Sequence, residues 1–128
     1  MSAADIERAT DASGLPSPSP TPIAVPDGLA GLAAAHPGAI DALRDMRVEL
    51  EHLSGLDERT IELVRIGTLV GLGAPAGSFT SHVRRAVSLG VTGPEIWGVL
   101  LAVAPLVGVP RLIAAGPSIS EAIASSVV

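Results

Sequence analysis

His82 is the side chain best suited to move protons near neutral pH, because an imidazole titrates there and can act as both acid and base. On a helix it would share one stripe with Ser78 four residues before it, and with Arg85 and Ala86 three and four residues after it. Ser78 then offers a hydroxyl to the ring or to a ligand, and Arg85 a cation for a carboxylate. The plainer alternative is a histidine satisfied by a backbone carbonyl within a helix interface. Glu58, Glu62 and Arg65 form a second group at three- and four-residue steps. Taken alone they read as an ion-pair ladder worth a few tenths of a kcal/mol per pair. His36 and His52 lack ligand spacing, and Glu49 with His52 makes at most half a metal site.

Composition narrows the chemistry further. The 128 residues contain no Cys, no Tyr and no Lys, so all eight cations are Arg. That excludes thiol redox chemistry, thiolate metal sites, a Schiff-base lysine, a P-loop and a phenolic acid within this chain. No Gly-x-Ser-x-Gly elbow surrounds Ser78, so serine hydrolase chemistry is not indicated. No cofactor is expected. A net charge of −5 gives no electrostatic footprint for nucleic acid. Only 16% of residues are charged against 48% hydrophobic, too few to coat so small a domain. The expectation is a homo-oligomer whose subunits cover one another's apolar surface.

The elements that must position His82 are helices. Residues 1–26 read as a flexible tail, with Pro16, Pro18, Pro20, Pro22 and Pro26 interleaved with Ser and Thr. Its acidic residues leave no room for a signal peptide, so a cytoplasmic protein is expected. Residues 27–128 read as one all-α domain of five to six short helices. Ile40, Leu43, Met46, Leu50 and Leu53 give one apolar stripe on a helix over about 37–53. Asp57 is placed as the N-cap of a helix over about 58–72, and Pro75 opens another that runs to Leu89. Thr92 and Glu95 have the spacing of a capping box. The helix they start is apolar on all sides, which predicts burial, and it is too short to span a bilayer. Pro110 opens a last helix, which Gly116-Pro117 should kink or split. The only aromatics, Phe79 and Trp97, count first as core volume and second as possible walls of a ligand pocket.

Three stretches carry a family resemblance: Leu56 to Leu63 (Leu-Asp-Glu-Arg-Thr-Ile-Glu-Leu), Ser81 to Ile96 (Ser-His-Val-Arg-Arg-Ala…Gly-Val-Thr-Gly-Pro-Glu-Ile) and Ala104 to Pro110. Together they resemble the carboxymuconolactone decarboxylase and alkylhydroperoxidase D-like family. The resemblance implies an all-α fold that packs into dimers, trimers or hexamers, with a small pocket near the His82 helix. It also implies a carboxylate role for Glu62, as the group that polarises His82 or as a base. The chain departs from the redox members, which carry Cys-x-x-Cys-x-x-x-His, because Pro75 and Ser78 stand where the thiols would be. Peroxidase activity by that route is excluded. It also departs from the decarboxylase members, with Ser78 in place of a Glu four before the histidine and Trp97 in place of a Glu after Glu95-Ile96.

Together these readings predict a cofactor-free lyase or isomerase working by proton transfer (decarboxylation, isomerisation or cyclisation) on a small organic lactone or carboxylate in an apolar pocket. His82 would be the general acid and base, Glu62 its orienter, and Arg65 or Arg85 an anion anchor. Ser78 would donate a hydrogen bond, with Phe79 and Trp97 near the substrate. The alternative is a catalytically silent oligomeric scaffold or small-molecule binder, since the same departures are what decay of an active site leaves behind.

Overall fold

The computed structural model describes residues 27–126, so the proline-rich segment 1–26 lies outside the described residues. Every regular element among them is helical. A 3-10 turn (Asp27–Leu29) leads into six α-helices: α1 (Ala30–Ala35), α2 (Ala39–Ser54), α3 (Glu58–Leu72), α4 (Ala76–Ser88), α5 (Gly93–Val107) and α6 (Val109–Ser126). The fold is all-α, as its sequence indicated.

The backbone divides into two compact units between Asp45 and Met46, inside α2. In the first, α1 ends at His36, whose amide bonds the Leu32 carbonyl at 2.9 Å, and Gly38 takes a φ of 89° to start α2. No residue of α1 is buried. The second unit holds the rest of α2 together with α3 to α6. Its core comes from Ile66 and Val70 of α3, Phe79, Val83 and Ala86 of α4, Ile96 and Leu100 of α5, and Ala115, Ile119 and Ala122 of α6. Here α4 packs most extensively on α6, and α3 lies against both α4 and α5. Alanines at 86, 115 and 122 contribute to the buried core of α4 and α6.

Local chemistry sets the ends of α3 and α5. The Asp57 carboxylate accepts the Thr60 amide at 2.7 Å, and the left-handed Gly73 closes α3. The Thr92 hydroxyl accepts the Glu95 amide at 3.2 Å while Glu95 reaches back to the Thr92 amide, completing the expected capping box. Gly67 sets the spacing of α3 and α5, because a Cβ there would lie 3.1 Å from Val103 and 3.2 Å from Val99.

Three expectations are corrected. The apolar stripe of α2 does not face a core: none of its residues is buried, and Leu43, Met46, Leu50 and Leu53 are exposed. Helix α5 is not buried all round. Ile96 and Leu100 are enclosed, but Trp97, Leu101 and Leu106 are exposed, because its packing comes from α3 and α6 on one side only. Gly116-Pro117 does not split the last helix, which runs unbroken from Val109 to Ser126. One proline removes a single ladder donor, and buried residues on either side of it, Ala115 and Ile119, hold the helix in place.

Candidate active site

The centre of the second unit is a carboxylate. Glu62 projects from the buried face of α3, one turn before Ile66, and is 1% exposed. A carboxylate so placed is costly unless donors surround it, and here two arginines and a histidine converge on it. His82 of α4 bonds Oε2 through Nδ1 at 2.7 Å. On the other oxygen, Oε1, the Nε of Arg85 lies at 3.2 Å and Arg65 donates through Nη1 at 3.4 Å. No buried side-chain nitrogen or oxygen among the described residues lacks a partner.

The spacing on α4 explains why two donors reach one carboxylate. His82 and Arg85 are three residues apart and so leave the helix on one side. Val83 and Ala86, each the residue after one of them, enter the core and fix the rotation of α4. The ring of His82 is about a quarter exposed. With Nδ1 occupied by Glu62, the nitrogen left for a ligand is Nε2. A carboxylate holding Nδ1–H sets the tautomer whose Nε2 lone pair is available as a base.

His82 lines an open pocket of about 270 Å³ together with Arg47, Arg65, Thr68 and Leu69. Leu69 supplies an apolar wall, and Thr68 turns its hydroxyl to the Val64 carbonyl at 2.9 Å. Arg65 is shared between two carboxylates, for beside Glu62 it donates to Glu51 of α2 at 2.5 Å. Glu51 also accepts from Arg47 Nε at 3.1 Å. The bond from Arg65 is the main reason that the Glu51 carboxyl sits below its ordinary range, against the opposing effect of burial and with further help from Arg47.

The structure therefore brings together His82, Glu62, Arg65 and Arg85 of the residues singled out by sequence. Arg65 faces the pocket, whereas Arg85 is not among the lining residues and is paired with Glu62. Ser78 is half-buried one turn before His82 and does not line the pocket. Phe79 is core, 1% exposed, and Trp97 lies partly exposed on α5, so neither walls this pocket. Sequence reasoning missed Arg47, Glu51, Thr68 and Leu69. Two signals pointed to them: Arg47 and Glu51 are an i, i+4 pair on the polar side of α2, and Thr68 and Leu69 follow Arg65 by three and four residues.

Comparison with known proteins identifies a family. No curated protein matches the chain, and no solved structure does. The model of the carboxymuconolactone decarboxylase family matches residues 34–117, a stretch that includes Glu62, His82 and every residue lining the pocket. Since that match covers well over half of the sequence, the chain belongs to the carboxymuconolactone decarboxylase family.

Proposed function

We propose that this protein catalyses proton transfer on a small organic lactone or carboxylate in the pocket beside His82. The observation that carries this reading is the bond between His82 Nδ1 and the buried Glu62 carboxylate, beside a cavity that His82 lines. Glu62 holds the ring, fixes its tautomer and stabilises the imidazolium formed when Nε2 takes a proton. Arg65 provides the positive wall for the substrate's charge, and Arg85 keeps Glu62 in place. In an isomerisation, Nε2 removes a proton from one carbon and returns it to another. In a decarboxylation, the bond to the carboxylate carbon breaks and carbon dioxide leaves. The electron pair passes to the neighbouring carbon, which takes a proton from Nε2 of an imidazolium that has first taken that proton from solvent. Neither route calls on a thiol, and the chain has none.

Homo-oligomerisation in the cytoplasm belongs to the same proposal. Leu101, Leu106, Val109 and Ile113 of α5 and α6 are exposed, and Leu106 is 90% so. Apolar surface on this scale is rare on a soluble monomer. The described helices include none long and apolar enough to cross a membrane.

The test is a panel of small γ-lactone carboxylates and β-keto acids incubated in deuterated water and followed by proton NMR. Wild-type protein is expected to release carbon dioxide from, or to exchange carbon-bound protons of, at least one member. His82→Gln is expected to do neither, with unchanged melting and oligomeric state. A variant as active as wild type would overturn the assignment. A wild type inert to the whole panel would favour the scaffold reading.

A further inference from the structure

Glu51 has no part in the reaction proposed above, yet it occupies the two arginines that face the pocket. Its Oε1 alone accepts from Arg47 Nε at 3.1 Å and from Arg65 Nη1 at 2.5 Å. The geometry points to Glu51 as an internal stand-in for a ligand's carboxylate, one that an incoming organic anion displaces from Arg47 and Arg65. This rests on the reading of the pocket as a site for small anions.

Three observations carry it. The first is charge. Among the described residues Arg47, Arg65 and Arg85 pair with Glu51 and Glu62 alone, so these five side chains and a neutral His82 carry one net positive charge. Releasing Glu51 raises that to two, and a bound carboxylate restores the original count. The second is competition for donors. A carboxylate seated on Arg47 and Arg65 would take the donors that Glu51 now uses and, lying within a few ångströms of it, would repel it. The third is how firmly each acceptor is held. Glu62 is buried and held by Arg65, Arg85 and His82, whereas Glu51 belongs to a helix with no buried residue. Of the two carboxylates on Arg65, Glu51 is the one free to leave. A volume of about 270 Å³ suits a ligand smaller than a drug-sized molecule. An anion placed there also lies on the wall shared with His82.

The test uses benzoate as the probe and benzamide as its uncharged counterpart. Both are titrated into the full chain, and the His82 ring proton and the Arg47 Nε–H resonance are followed. Glu51→Gln keeps the shape and removes the charge. It is expected to bind benzoate on the order of tenfold more tightly than wild type, within the range of ordinary coupling between sites. Benzamide binding is expected to stay as it was. Glu49→Gln, on the same helix and outside this cluster, is expected to leave benzoate affinity unchanged, which separates displacement from a general change of net charge. In wild type, benzoate is expected to move the Arg47 Nε–H signal as Glu51 departs. Benzoate binding by wild type and Glu51→Gln with equal affinity would overturn the displacement and leave the anionic pocket standing. Weaker binding by Glu51→Gln would overturn it too, and would make Glu51 a support for Arg65. Binding by neither protein would overturn the anionic pocket and this proposal with it.

Discussion

Helices α2 and α3 are nearly the same length, sixteen and fifteen residues, and are treated in opposite ways. The sequence of α2 is the more regular, with leucines and a methionine on one stripe and charges elsewhere, yet it buries nothing. The pattern of α3 is more mixed, and α3 buries Ile66, Val70 and a glutamate. Available neighbours make the difference. Helix α3 lies against α4, α5 and α6, whereas the second half of α2 meets α3 through the ion pair of Glu51 with Arg65. An amphipathic pattern says that a helix wants a partner; it does not say that the partner lies in the same chain.

The largest effect that could break this comparison lies at Glu62. Removing one partner from a buried charge cluster leaves the others uncompensated, so Glu62→Ala is expected to cost about 3–5 kcal/mol. Urea denaturation of the variant measures it. Glu62→Gln keeps the volume and should cost less, while releasing the His82 tautomer, which nitrogen NMR of the three histidines would show. A Glu62→Ala protein as stable as wild type would mean that the carboxylate contributes nothing to the fold and that its burial serves catalysis alone.

The matching experiment on α2 should give a much smaller effect on folding and a larger one on assembly. Leu50→Ala with Leu53→Ala is expected to change stability by no more than about 0.5 kcal/mol, since substitutions at exposed positions seldom exceed that. Denaturation is measured at a dilution where the chain is monomeric. Ile66→Ala on α3 is expected to cost about 2–5 kcal/mol under the same conditions. Sedimentation at higher concentration should then show the double variant less associated than wild type. A loss at the two leucines as large as that at Ile66 would place them in a core and end the contrast.

How far sequence alone reached follows the same division. Helix ends written in local chemistry were legible: Asp57, the Thr92–Glu95 capping box, and α3 from residue 58 to 72 with Gly73 after it. Such signals act within a few residues and need no knowledge of the fold. His82 and Glu62, twenty positions apart, could be paired only through the family resemblance, because loop length and helix rotation decide whether two such groups meet. The environments of α2 and α5 were not legible. Apolar content alone did not show that Leu101 and Leu106 lie outside the core, and this depends on which sides α3 and α6 cover. Glu51 escaped notice because, on its own helix, it reads as the ordinary partner of Arg47. Its second bond, to Arg65, spans fourteen residues and follows only from packing.

The smallest expected effect is the most specific to the link between the two helices. Glu51 is held below the ordinary glutamate range, chiefly by its bond from Arg65. A carboxyl whose folded value is depressed adds stability that is present above its unfolded value and lost as pH falls through the folded one. The Glu51 contribution should therefore be intact at neutral pH and disappear below about pH 4.5, the ordinary value of the group. Asp57 and Glu95 are depressed as well, so the acid profile of the wild type sums several groups. Asp57 is lowered mainly by the Thr60 amide; at Glu95 the largest effect is burial, which raises it and is outweighed by Arg59 and Thr92. The difference between wild type and Glu51→Gln isolates the link. That difference should be a few tenths of a kcal/mol at pH 7, typical of partly exposed ion pairs, and should shrink toward zero with acid. Amide exchange should show it in the second half of α2 and leave the core of α3 unchanged. If α3 loosened as much as α2, the ion pair would be a support of the core, and the two helices would not be as separately held as their burial implies.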